Sequence, residues 1–459
     1  MVPVELGALS AAEQCLWDAF PRGAEVTLRA EEPRTVRAGV IRLLLLGALP
    51  AEPGEQAALR LHGADVVGVL DLYQVEVDHA IEFMDCHFDM APELSFAQLR
   101  GVTFEGSTLP GLDAFGATVQ GNLSFVKCTL TGAIVVYGLR VTGDLDFDWA
   151  RLAADGRAEE VFGDRVAAVF GEGIQVGRHL YLQGTAAAGN LELTGMRVGG
   201  GVYAHQGLRV EGELRLRRAE VTGDLNLTDA VLINSGGVAL DGWGLRAGQL
   251  SLSPARVEGT VDLRHARLEV LHDDPDHWPA VLRLDGARYT ALEPARTARE
   301  RLPWLDRDPD GYRPQPYEQL ATTYRQIGNE ADARSVLLAK QRRRRRQSAP
   351  AGAAWGLLQD GLVGYGYRPG RAGLWLLMLV ALGTTAFSLW PPPAAAASRV
   401  AFNAPVYTLD LLIPIVDFGQ EKAFGIGGSA QWLAYILTAM GWILFTAVAA
   451  ALTRSLSRV

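Results

Sequence analysis

Between Gly189 and Leu232 the chain states one short phrase four times: GNLELTGMRVG, GGVYAHQGLRVE, GELRLRRAEVT and GDLNLTDAVL. Each unit opens on Gly, sets apolar residues at alternating positions (Leu191 and Leu193, Leu214 and Leu216, Leu225 and Leu227), and closes on a small residue followed by Val or Leu. The first apolar position recurs every eleven or twelve residues, at Leu191, Val202, Leu214 and Leu225. That period is too short for a helix pair, and its alternation is that of a strand with one buried face. Short strands of this kind bury their inward side chains by stacking on one another, so the pattern predicts a β-solenoid.

The repeat can be followed in both directions. It begins at LRLHGADVVGVLDLYQVEV, blurs from His79 to Leu109, recovers in GNLSFVKCTLT, GAIVVYGLRVT and GDLDFDWARL, and continues to about Tyr289. Leu, Val and Phe supply inward bulk, while Ala and Gly stand where the chain must turn. Two units make a four-sided coil of about 22 residues, and stacking at about 4.8 Å gives roughly nine coils. Insertions are expected near 153–173 and 271–280, within a solenoid running from 59 to 291.

Open solenoid ends expose core and strand edges, so both ends need covers. Residues 1–58 predict an α/β cap: Ser10 and Glu13 suit a capping box, and Leu9, Leu16, Trp17 and Phe20 share a helical face. At the other end, 292–347 holds a Pro-rich link and then PYEQLATTYRQIGNEADARSVLLAKQRRRRRQ, two helices around Gly328 and Asn329 that resemble one tetratricopeptide-like hairpin. A single pair cannot bury its own faces, which predicts packing on the last coil.

The remaining segment, 348–459, predicts a membrane domain. Two uncharged apolar stretches, about 372–390 and 431–452, each reach about 30 Å as helices, and Trp375, Trp390, Trp432 and Trp442 include interfacial anchors. Arg342, Arg343, Arg344, Arg345, Arg346, Arg368 and Arg371 precede the first span and are expected at the membrane surface, in contact with anionic lipid. Arg454 and Arg458 follow the second span, whereas the loop 391–430 holds only Arg399 and Lys422, so both termini and the solenoid are expected in the cytoplasm of a cell whose inner membrane the chain crosses twice. Within that loop, 403–425 suits an interfacial or re-entrant helix broken at Pro414. From Ala291 onward there are 19 basic and 12 acidic residues, a net of +7, against −16 for the rest, which matches an acidic body meeting an anionic surface. The start has no basic region ahead of an apolar core, so no signal peptide is expected. Three cysteines without CxxC spacing suggest reduced thiols.

The units GDLNLTDAVL and GDLDFDWARL each resemble two pentads of the pentapeptide-repeat proteins, which implies a right-handed quadrilateral β-helix. Taken whole, the order of cap, solenoid, YEQLATTYRQIGNEADARSVLLAKQRRRRR, LVGYGYRPGRAGLW and YTLDLLIPIVDFGQ is similar to a family of membrane-anchored actinobacterial proteins often labelled membrane-associated oxidoreductase. The resemblance implies architecture and location and carries no catalytic residue.

No GxSxG, HExxH or Walker A motif occurs. Gly242, Gly244 and Ala247 match GxGxxA, but another strand-like unit follows where a helix is required. Asp306, Asp308 and Asp310 imitate the start of a calcium loop, yet Tyr317 stands where the closing Glu belongs. His272, Asp274 and His277 are candidate ligands for a divalent metal. No cofactor and no nucleic acid are expected. The sequence favours a membrane-tethered scaffold with a protein partner on a solenoid face, Glu192, Arg215, Arg217, Asn226 and Thr228 being the outward candidates. The alternatives are an oxidoreductase, an acidic nucleic-acid mimic and a pore.

Overall fold

The computed structural model describes residues 7–29, 31, 33–154, 166–346, 370–393, 401–413, 415–424 and 430–456, with side chains omitted at 345, 346, 370–372, 430 and 447–456. The chain divides into two compact units, Met1–Ile327 and Gly328–Val459.

In the first unit the repeat becomes a parallel β-solenoid of about ten turns. One coil shows the plan: strands Leu123–Ser124, Thr129–Leu130, Ile134–Val135 and Arg140–Val141 follow one another with tight corners between them. Each pairs with its counterpart one coil on, Thr118 with Arg140 and Leu123 with Leu145, which is the expected 22-residue step. The first and fourth strands belong to an 18-stranded sheet, the second and third to a 16-stranded one.

Because every inward position stacks on its equivalent, like residues form columns. Phe83, Phe104, Phe125 and Phe147 are stacked with centroids 5.4, 5.5 and 5.0 Å apart and ring planes within 13° of parallel. Cys86 and Cys128 belong to the same core, where burial pushes their thiols up to about 11 and about 12, far from reactive values. Corners turn through left-handed residues, and several corner side chains lie over a glycine of the next coil: a Cβ at Gly116 would meet the Phe96 ring at 3.0 Å, and one at Gly184 would meet Trp149 at 2.3 Å.

The N-terminal cap is as expected and goes further. Ser10 and Glu13 form the capping box of the Ala11–Ala19 helix, and Glu13 also takes Arg37 Nε at 2.7 Å. Strands Val26–Thr27 and Thr35–Arg37 then pair with Leu59–His62 and Asp65–Val67, so the cap contributes an incomplete coil of its own. This is why the count exceeds nine.

Both insertions are shorter than expected. Ala167–Phe170 is a strand paired on both sides, and Ala154 and Val166 still bond to the next coil, Ala154 donating to the Ala188 carbonyl and the Val166 carbonyl accepting from Asn190, each at 3.1 Å; 155–165 lie outside the described residues. Likewise the strand Arg267–Asp273 absorbs the start of the second insertion, and a short 3-10 helix, Pro275–His277, makes up its middle. Arg301, only 1% exposed, closes this end by gripping buried Asp273, and Trp304 stacks on Trp278 at 4.6 Å. The Pro314–Gln326 helix packs on the last coil as predicted: Gln315 and Gln319 donate to the carbonyls of Ala287 and Tyr289 at 2.8 and 2.7 Å.

The second unit holds the Glu330–Arg346 helix, which carries Arg342 to Arg346, and three helices packed together, Gly370–Leu389, Ala404–Leu412 and Ala430–Leu456. Gly383 and Gly441 let the middle helix nest closely, since a Cβ there would meet Thr408 and the Leu412 carbonyl at 2.3 Å. Asp410, 6% exposed, accepts the N–H groups of Phe418 and Glu421, each at 2.7 Å, and folds the following loop back. Among the described residues no helix is long and apolar enough to cross a membrane, so the two expected spans are not supported here. Arg368 lies outside the described residues, as do the side chains of Arg345, Arg346 and Arg371.

Candidate interaction faces of the solenoid

The solenoid offers its outward side chains in columns, one per alternating position, so each side is a ladder of residues roughly 4.8 Å apart. Three ladders stand out, and they differ in whether their groups are already satisfied.

The first coils carry an aromatic edge. Tyr73 touches Phe96, Phe96 touches Phe115, Phe115 touches Tyr137 and Tyr137 touches Phe170, with centroids 6.0, 5.3, 6.2 and 6.4 Å apart. Phe170 is buried and anchors the row, whereas Tyr73, Phe96 and Phe115 are 48%, 46% and 45% exposed. Val67, Val69 and Met90 are exposed in the same coils. Beside them runs a column of carboxylates, Asp71, Glu93 and Asp113, in bridging register. Asp71 and Glu93 each accept the N–H two residues on, from Tyr73 and Ser95, which holds the corners at a fixed angle. Contiguous aromatic and apolar residues rimmed by charge have the composition of a protein-binding patch. The blurred stretch between His79 and Leu109 conceals this edge in the sequence, and the only signal for it is the spacing of Tyr73, Phe96 and Phe115 at coil-like intervals.

The ladder expected to bind is instead closed on itself. Glu192, Arg215, Asp241, Asp262 and Arg283 occupy one column. Arg215 pairs with Glu192 at 2.7 Å and with Glu213 at 2.5 Å, Arg264 with Asp262 at 2.6 Å, and Arg217 with Asp241 at 3.5 Å. The guanidiniums of Arg217 and Arg218 stand 5.4 and 5.2 Å from the centre of the Trp243 ring. Asn226 is on another side, in register with Tyr203 and Ser251, and its Oδ1 accepts the Thr228 N–H at 3.0 Å. The five candidates therefore do not form one face.

A third side gathers Asp144, Asp146 and Asp148 with His179, Tyr181, Tyr203 and His205. Each carboxylate accepts a backbone N–H: His179 to Asp144 at 3.0 Å, Gln183 to Asp148 at 2.7 Å and Asp148 to Asp146 at 2.8 Å. Tyr181 and Tyr203 stack at 5.5 Å, and His179 Nδ1 accepts from Gly201 N–H at 3.0 Å. Burial, joined by repulsion from Asp148, Asp144 and Glu105, raises Asp146 to about 6. Asp144 and Asp148 stitch neighbouring coils, and Asp146 holds the turn between them.

The remaining candidates disperse. Asp274 accepts from His277 at 2.8 Å and pairs with Arg296 at 3.4 Å, while His272 sits in the ladder between Ser251 and Glu293. Asp306 accepts the Tyr317 hydroxyl and Asp310 pairs with Arg283. No group of three or more His, Cys, Asp or Glu is placed to hold a metal ion among the described residues. Gly244 is a corner and Ala247 lies in the strand Arg246–Leu252, so the GxGxxA match precedes a strand. No family model matches the chain, and no curated protein or solved structure matches it either.

Proposed function

We propose that this chain is a membrane-tethered scaffold that binds a protein partner along the aromatic edge of its first coils. The observation that carries the reading is the row Tyr73, Phe96 and Phe115: three rings in mutual contact, each about half exposed, on a rigid sheet corner. Such rings supply large contact area with little conformational entropy left to lose, which is how binding hot spots are built.

The tether draws support from the second unit, where apolar side chains point outward. Leu374, Leu377, Leu382 and Leu389 on one long helix, Trp390 just after it, and Trp432, Ile436 and Trp442 on the other helix are all more than half exposed. An apolar exterior around a packed helical core suits a lipid environment. The arginine distribution of the sequence favours cytoplasmic termini, and a right-handed coil of the pentapeptide-repeat kind belongs to the same proposal.

The test uses the full chain in native membranes. A photoreactive amino acid at Tyr73 or Phe115 is expected to crosslink a defined partner that the same probe at Arg151 does not reach, and F96S/F115S is expected to abolish the product. Alkaline carbonate is expected to leave the chain in the pellet. Equal crosslinking at Arg151, or release of the chain by carbonate, would overturn the corresponding half of the reading.

A further inference from the structure

The last coils carry a surface that the aromatic edge does not use. Strands there lengthen to seven residues, Glu220–Asn226, Arg246–Leu252 and Arg267–Asp273, with Arg288–Glu293 ending the row. Register places Arg197, Glu220, Arg246, Arg267 and Arg288 in a single column. Beside it, Thr222 and Gly248 line an open groove of about 480 Å³ together with Glu220, Arg246, Arg267 and Glu269. Glu220 is shared by Arg246 at 3.1 Å and Arg197 at 3.4 Å. Arg267 and Arg288 are exposed and have no ion-pair partner among the described residues. Four arginines against Glu220 in the column and Glu269 beside it thus stand on an otherwise acidic solenoid.

We infer that this groove docks an extended acidic segment of a protein partner. From Arg197 to Arg288 the ladder spans four coil steps, about 19 Å. An extended chain rising about 3.3 Å per residue covers that length with about six residues, presenting three side chains to the arginines. Guanidinium forks grip carboxylates through paired N–H bonds, and their long stems absorb the difference between the two spacings. Nucleic acid fits less well for two reasons. Glu220 and Glu269 stand in the groove, where a polymer charged at every unit meets repulsion but a peptide can set neutral residues and backbone N–H groups. The groove also lacks any aromatic ring, and base stacking on such rings supplies much of single-strand affinity.

The full chain in detergent can be titrated with a fluorescent ten-residue peptide alternating Glu and Ser, by anisotropy, at about 50 mM and about 300 mM salt. Binding is expected at low salt, with at least tenfold weakening at high salt and at least tenfold weakening in R267E/R288E. R267Q/R288Q, which keeps polar groups at both outward positions, is expected to lose affinity as well, and its unchanged thermal transition separates this loss from misfolding. R151Q and F96S/F115S are expected to bind like the parent, so failure here is distinguishable from failure of the aromatic edge. No binding at low salt, equal binding by the charge-reversed variant, or displacement by oligothymidylate of equal charge at lower concentration than by unlabelled peptide would overturn the inference.

Discussion

Arg301 and Asp273 bear the closure of the solenoid's C-terminal end, and the cost of separating them follows from their surroundings. Their side chains are 2% and 0% exposed. Arg301 Nε lies 3.2 and 3.1 Å from the two Asp273 oxygens, its terminal nitrogen 2.7 Å from one of them, and the same nitrogen donates to the Pro294 carbonyl at 2.6 Å. Replacing Arg301 by Leu strands a buried carboxylate and frees that carbonyl, and breaking a buried pair from one side costs about 3–5 kcal/mol. Removing both charges, in D273L/R301L, takes away the desolvation penalty together with the attraction, so the double variant is expected to lie within about 1–2 kcal/mol of the parent. Each coil depends chiefly on its neighbours, so the loss is local before it is global. Amide exchange in the last strand, Arg288–Glu293, is therefore expected to accelerate by two to four orders of magnitude in R301L, from about 1.4 kcal/mol per decade, and to recover in the double variant. A change below tenfold in R301L, or strictly additive effects of the two single changes, would refute the reasoning.

Other perturbations read other parts of the structure. F104A removes a ring stacked on both faces and is expected to destabilise the first unit by about 3–5 kcal/mol, measured by urea denaturation. G184A forces the Trp149 ring off its seat, which near-ultraviolet circular dichroism and a lower melting temperature will register. Burial favours the neutral form of Glu13, but its bonds to Arg37 and to the N–H groups of Ser10 and Arg37 outweigh that and hold it at about 2. The folded state therefore keeps the ionised form, and about 1–2 kcal/mol present above pH 4.5 is lost as pH falls toward 2, a loss that E13Q abolishes. Asp146 has the opposite sign: the folded state holds its proton up to about 6, so stability falls as pH rises from about 4 to 6. D146N is expected to raise stability at pH 7.5 by about 1 kcal/mol, allowing for its partial exposure, and to have no effect below pH 4.

The solenoid was legible because inward Leu, Val and Phe recur with the coil, and a step of 22 to 23 residues follows from Leu191, Val202, Leu214 and Leu225 alone. The cap's contribution was not, since Val26–Thr27 and Thr35–Arg37 add to the ladder by backbone pairing, which leaves no repeat in side chains. The insertions were overdrawn for a related reason: Ala167–Phe170 is buried at every position, so no alternation marks it as a strand. The interaction face was the least legible. Glu192 and Arg215 alternate outward like Asn226, yet which side of a four-sided coil each adorns depends on the half-coil it occupies. Whether an outward charge is available depends on its neighbour one coil away, about 22 residues off in sequence. Arg215 is consumed by Glu192 and Glu213, while Arg267 has no ion-pair partner among the described residues.

The strands on either side of 155–165 keep their vertical partners, Leu152 with Ala187 and Val169 with Leu191. The 35-residue step from Leu145 to Leu180 is carried by the same ladder as the 22-residue step from Leu123 to Leu145, so its pitch does not follow chain length. A peptide tag or a folded module added between Ala154 and Val166 is expected to leave the aromatic edge and the arginine column at their spacing. Change in length at this position can diversify what the molecule carries without retuning what it grips.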